Sequence, residues 1–170
     1  MTSQTLDSLL IQFYSTLEEM IKGYQQMMSI LQREKILIIE GNSEELISCL
    51  LQKEGVLSFL NGLDEKRQKE VDFIGQALGL DDKPLTFRTL IESVREPFKS
   101  QFYACKAALE ALTASMIEVN QLNGLLVDRT LQKISDLIGL LKQISAVPLT
   151  YSATGVANPY PAKGRTLVRT

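Results

Sequence analysis

The sequence contains no histidine at all. Without imidazole there is no ordinary base to activate a serine or cysteine nucleophile near neutral pH, and no His-containing zinc site. The glycine spacings that cradle phosphate, GxGxxG and GxxxxGK[ST], are missing as well. Cysteine is scarce: Cys49 and Cys105 stand far apart with no CxxC or CxxH neighbour, the pattern of buried, reduced thiols. Long apolar runs are also lacking. The longest strongly aliphatic stretch is Ile36 to Ile39, against the roughly 20 residues a membrane helix needs. The N-terminal segment carries Asp7 and no basic stretch before an apolar run, so it does not read as a secretory signal. Charge of one sign is missing too, with 18 Lys and Arg against 20 Asp and Glu, which argues against nucleic acid or anionic lipid as the partner. These absences disfavour an enzyme, imply no metal or cofactor, and point to a cytoplasmic protein without membrane insertion.

What remains is helix. At 170 residues and 45% hydrophobic the chain can bury one core. From Ser3 to Ile39 apolar residues recur at helical spacing, through Leu6, Leu10, Phe13, Leu17, Met20, Tyr24, Met27 and Leu31, with no proline to interrupt them. Gly41 predicts a stop, and Asn42 with Glu45 predicts a capping-box restart. Leu46, Leu50, Lys53, Leu57, Leu60, Asp64, Arg67, Val71, Ile74 and Leu78 then alternate in steps of three and four, the period of a coiled-coil seam. Asn61 and Gly62 are candidates for loosening that helix.

Gly79 to Pro84 reads as a turn, Thr86 to Val94 as a short connecting helix capped by Thr86, and Pro97 as the first turn of a last helix. That helix runs through Phe98, Phe102, Cys105, Leu109, Leu112, Met116 and Val119 to Ile144, on the order of 70 Å at 1.5 Å per residue. A helix of that length outruns a compact core. The expected fold is all-α: an elongated antiparallel bundle of three long helices with a short connecting helix, part of an apolar stripe left open, and a flexible C-terminal tail. The expected division is 1–146 for the bundle and 147–170 for the tail. Pro148, Gly155, Pro159, Pro161 and Gly164 crowd that tail, together with Lys163, Arg165, Arg169 and no acidic residue. The body keeps 15 basic and 20 acidic residues.

Few side chains invite a functional reading. Met20, Met27 and Met28 with Tyr24 share one side of the first helix, either as core or as an adaptable groove. Asn120 and Asn123 share a face of the last helix, where asparagine is either solvated or spends stability on a defined polar contact. Asp81 with Asp82, and Asp64 with Glu65, are lone acidic dipeptides with no assigned role. In the tail, Tyr151, Tyr160 and Leu167 are the residues able to anchor a contact.

The segment Asn120-Gln121-Leu122-Asn123-Gly124-Leu125-Leu126, followed by Leu149-Thr150-Tyr151, Gly155 and the basic end Lys163 to Thr170, resembles the FlgN family of flagellar export chaperones. The leucine-rich first helix with Glu34 and the second with Gly41-Asn42, Leu46 and Lys53 agree more loosely. The resemblance implies a cytosolic chaperone that binds the C-terminal amphipathic helices of hook-associated, hook-filament junction proteins. It would keep them unpolymerised and deliver them to the cytosolic domain of the flagellar export gate. It also implies a cargo surface near Met116, Val119, Asn120, Asn123, Leu126 and Val127, and a gate-docking role for Tyr151 with Gly155. Asn158-Pro159-Tyr160-Pro161, added after Gly155, lets Tyr160 share or replace that role. A coiled-coil adaptor outside flagellar assembly is the competing reading. A chaperone for the filament subunit or filament cap is another.

Overall fold

The computed structural model describes residues 3–80 and 86–145. Four helices account for nearly all of them: α1 (Ser3–Glu40), α2 (Ser43–Leu78), α3 (Phe87–Ser93) and α4 (Phe98–Ser145). Among the described residues there is no strand.

The boundaries follow from local chemistry. Gly41 takes φ of 70°, a left-handed conformation that a Cβ would disfavour, and so turns α1 into α2. Asn42 Oδ1 accepts from the Glu45 amide at 3.2 Å, which satisfies one of the orphan donors at the start of α2. The expected capping box closes differently here. The Asn42 amide donates to the Leu37 carbonyl at 3.1 Å, and the Glu45 carboxylate accepts from the Asn42 side chain at 3.1 Å and from Arg33. Gly79, left-handed again, ends α2 with the Leu80 amide reaching back to the Gly75 carbonyl at 3.0 Å. Thr86 and Thr89 form a reciprocal capping box on α3. Pro97 lies just ahead of α4 and its carbonyl accepts from Gln101. The Glu96 carboxylate caps the same end by accepting from the Ser100 amide and hydroxyl.

The pairings set the topology. Thr16 meets Glu70, and Glu34 meets Lys53, so α2 runs antiparallel to α1. Phe13 meets Phe102, and Leu31 meets Asn123, so α4 runs parallel to α1. An up-down-up bundle of helices results, as the three apolar stripes require.

The chain divides into two units, Met1–Val127 and Asp128–Thr170. The first holds two clusters of buried side chains. One joins Leu10, Phe13 and Leu17 of α1 to Leu63, Val71 and Ile74 of α2, Leu90 and Ile91 of α3, and Phe102 and Cys105 of α4. The other joins Met27, Ile30, Leu31 and Leu37 to Cys49, Val56 and Leu60. Met20 and Met27 are core residues, so the methionine row is packing rather than an open groove. Gly23 permits close approach at their junction, because a Cβ there would come within 2.7 Å of Leu60 Cδ2.

The seam of α2 differs from the expected one. Cys49, Val56, Leu63 and Glu70 are buried beside Leu60, Val71 and Ile74, whereas Leu50, Leu57 and Asp64 face solvent. Apolar residues occupy two neighbouring strips of this helix, so three-four spacing is satisfied by either strip, and packing against α1 selects between them. The helix also runs unbroken through Asn61 and Gly62.

In α4 the residues Phe98, Phe102, Cys105, Leu109, Leu112, Met116, Val119, Asn123 and Leu126 step by four and three, and each is buried or half-buried. The helix is continuous through Gly124 to Ser145, 48 residues in all. The described part of the second unit is the end of this helix. From Asp128 to Ile144 every side chain is exposed except that Gly139 is half-buried.

Candidate functional site

Two features of the described residues stand apart from ordinary packing: a buried polar node and an exposed apolar half-cylinder.

The node ties together α1, α2 and α4. Lys53 Nζ donates to both oxygens of Glu34 at 3.0 Å and to Asn120 Oδ1 at 3.2 Å. Asn123 Nδ2 donates to Glu34 Oε2 and to the Leu31 carbonyl, each at 2.9 Å. Glu34 is 7% exposed and Asn123 is 3% exposed, so both are withdrawn from water and rely on these partners. Each helix contributes a residue from its seam position. An apolar seam slides with little loss, whereas a carboxylate that must meet an ammonium and an amide admits one register. The node therefore fixes how α4 lies on the α1–α2 hairpin.

The residues assigned from the resemblance divide accordingly. Met116 and Val119 pack against the second core cluster, Leu126 is half-buried, and Asn123 is buried in the node. Asn120 and Val127 are exposed, Asn120 while accepting from Lys53. The structure thus brings Asn120 and Asn123 together through Glu34 and Lys53, and packs Met116 and Val119 against the hairpin. Tyr151, Gly155 and Tyr160 lie outside the described residues, as do the tail itself and Asp81 with Asp82. The sequence places Lys53 in the α2 seam and counts Glu34 and Lys53 among the looser points of family resemblance, but gives neither a contact or a role. The available signal was charge at seam positions on two helices, one of each sign.

The half-cylinder belongs to the second unit. Leu131, Ile134, Leu137, Ile138, Leu141 and Ile144 are 47% to 70% exposed. At about 100° per residue they fall on one half of the helix circumference. Asp128, Arg129, Gln132, Ser135, Asp136 and Gln143 fall on the other, with Lys133 near the apolar edge. Isolated exposed leucines need no explanation, but a continuous stripe of this width marks an interaction surface.

Both thiols are free and buried. Burial, with the Glu34 carboxylate nearby, pushes the Cys49 thiol above its usual 9.0, and burial, with Glu18, does the same for Cys105. The thiolate is the reactive form, so both should be inert in the folded chain. Alkylation by iodoacetamide at mildly alkaline pH is expected to be at least about tenfold slower in the native protein than in urea. Equal rates would contradict the packing. The sign of the pH effect follows: a raised folded pKa leaves stability intact below about pH 9 and erodes it as pH rises further, because the unfolded thiols ionise first.

Among the described residues no group of three or more His, Cys, Asp or Glu is placed to hold a metal ion. None of the described helices is long and apolar enough to cross a membrane.

A family model described as FlgN protein matches residues 1–159. No curated protein and no solved structure matches the chain. With a match over nearly its whole length, on a bundle of long helices that keeps a broad apolar face exposed, the chain belongs to the FlgN family of flagellar export chaperones.

Proposed function

We propose that this chaperone works in the cytoplasm, without enzymatic activity, on the C-terminal amphipathic helices of hook-filament junction proteins. It keeps them from polymerising early and hands them to the cytosolic domain of the export gate. The observation that carries this reading is the exposed apolar half of α4 between Leu131 and Ile144. A cargo helix laid along it would follow the helix-in-groove mode, with anchors at three- and four-residue spacing. Fully burying one Leu or Ile side chain is worth about 1.5–3 kcal/mol, and a few such anchors offset the cost of association for a micromolar complex. Asn120 and Val127 are exposed enough to touch cargo, and Met116, Val119, Asn123 and Leu126 serve by holding α4 on the hairpin. Delivery falls to Tyr151 with Gly155, joined by Tyr160.

Calorimetric titration with synthetic C-terminal helices of the junction proteins tests the reading. Ile134→Asp with Ile138→Asp is expected to weaken binding at least about a hundredfold while helix content stays unchanged. Undiminished affinity would sink this cargo face, and selective binding of a filament-cap peptide would sink the cargo assignment. A chain ending at Ala146 is expected to keep its cargo affinity and lose export, and Tyr151→Ala is expected to lower delivery more than affinity.

A further inference from the structure

The apolar stripe of α4 between Leu131 and Ile144 has borders of one charge. At about 100° per residue, Lys133 falls about 20° outside Ile144 on one side, and Lys142 about 20° outside Leu131 on the other. Both lysines are exposed. Among the described residues neither has an ion-pair partner. Arg129 adds a third cation one turn before Lys133 and about 40° farther round on the same side.

The carboxylates of this segment stand farther off. Asp128 lies about 60° outside Leu131, and Asp136 lies on the polar side, where it accepts from Gln132 at 2.9 Å. Lys142 is in the last turn of α4, where a cation is favourable in any helix, but Lys133 is in mid-helix and gains nothing of that kind. The wider distribution has the same sign. Residues 1–127 hold 12 Lys and Arg against 18 Asp and Glu, and residues 128–170 hold 6 against 2. The chain changes from acidic to basic where its two units divide, and the near-balanced total conceals the change.

On the reading that α4 is the cargo face, on which this rests, we propose that the helix it takes is bordered by acidic side chains. Its apolar stripe is flanked on both sides by Asp or Glu. Shape alone selects no partner there, because any amphipathic helix offers anchors at three- and four-residue spacing. The borders do select. An incoming stripe flanked by carboxylates meets Lys133 on one side and Lys142 on the other, whereas a lysine-bordered helix meets like charge on both. The same signs act before contact, drawing an acidic-bordered helix to the basic second unit while the acidic first unit repels it. Lys133 and Lys142 are therefore specificity-determining residues. They supply discrimination, and the leucines and isoleucines between them supply most of the affinity.

Calorimetric titration of the full chain with three synthetic helices of about 20 residues tests the proposal. All three share leucines at three- and four-residue spacing, and they differ only in carrying glutamate, glutamine or lysine at the bordering positions. At about 50 mM salt the glutamate helix is expected to bind about threefold tighter than the glutamine helix and at least about tenfold tighter than the lysine helix. At about 1 M salt the three affinities are expected to converge as the charges are screened. Lys133→Glu with Lys142→Glu is expected to reverse the order, with helix content unchanged because both positions are exposed. Three equal affinities at low salt overturn the proposal and leave the cargo face standing. Equal affinities together with attachment of the chain to phosphatidylglycerol vesicles assign the lysines to lipid headgroups instead. An order that the double variant does not reverse overturns it as well. If none of the three helices binds, or if Ile134→Asp with Ile138→Asp leaves their binding unchanged, the cargo face itself is wrong and the proposal falls with it.

Discussion

Phe102→Ala is expected to lower the unfolding free energy by about 3–5 kcal/mol, a large share of the stability of a domain this size. Phe102 is fully buried and meets Phe13 of α1 edge to face, with ring centres 5.2 Å apart and planes at 82°. Phe87 at 6.4 Å and Phe98 at 6.1 Å complete an aromatic set drawn from three helices. Truncation removes the transfer free energy of the ring, leaves a cavity and ends the ring contacts, each of which adds about 0.5–1.5 kcal/mol beyond area. Urea denaturation followed by circular dichroism measures the effect as a lower midpoint with an unchanged slope. A loss under about 1 kcal/mol would mean that the base of the bundle is not packed around this ring. Leu141→Ala, at an exposed position of α4, serves as a control with little expected change.

The second large effect is expected at the polar node. Glu34→Ala removes the carboxylate that accepts from Lys53, leaving it only Asn120 Oδ1 among its described acceptors, and one of the two hydrogen bonds of Asn123. Breaking a fully buried pair by deleting one partner costs about 3–5 kcal/mol, but the Lys53 side chain is 26% exposed and can recover some water. The expected loss is therefore about 2–3 kcal/mol. Lys53→Met with Glu34→Leu removes both charges and fills the space with apolar groups, and is expected to lie within about 1 kcal/mol of the parent. A double-mutant cycle isolates the coupling of the pair. If Glu34→Leu and Lys53→Met prove additive, Glu34 and Lys53 do not act together. The compensated variant should keep its stability yet lose the discrimination among registers that the node enforces. Its amides on α4 near Asn120 and Asn123 should exchange faster than in the parent at equal global stability.

Much of the architecture was legible because helix signals are local. The stripes of α1 and α4 repeat at 3.6 residues over many turns, and Gly41, Gly79 and Thr86 mark ends through the backbone geometry they favour. The α2 seam was legible only in part. Leu50 and Leu57 satisfy the same spacing as Cys49 and Val56, and periodicity contains nothing that ranks two adjacent strips. The asparagine pair shows the same division. Its place on one face of α4 follows from three-residue spacing, but whether that face met water or Glu34 depended on residues about 90 positions away. For the cargo face, the apolar residues beyond Leu126 were visible in the sequence, and their exposure was not.

By itself, then, the sequence determined the class of the fold, the ends of its helices, the absence of histidine chemistry and the likeness to an export chaperone. Each of these rests on residue identity and short-range spacing, which the chain carries wherever it folds. The tertiary structure decided which strip of α2 is buried, that Glu34, Lys53, Asn120 and Asn123 form one node, and that Leu131 to Ile144 stay in solvent. Those outcomes depend on which helix lies beside which and in what register, a balance of burial and desolvation summed over distant partners that no local pattern contains.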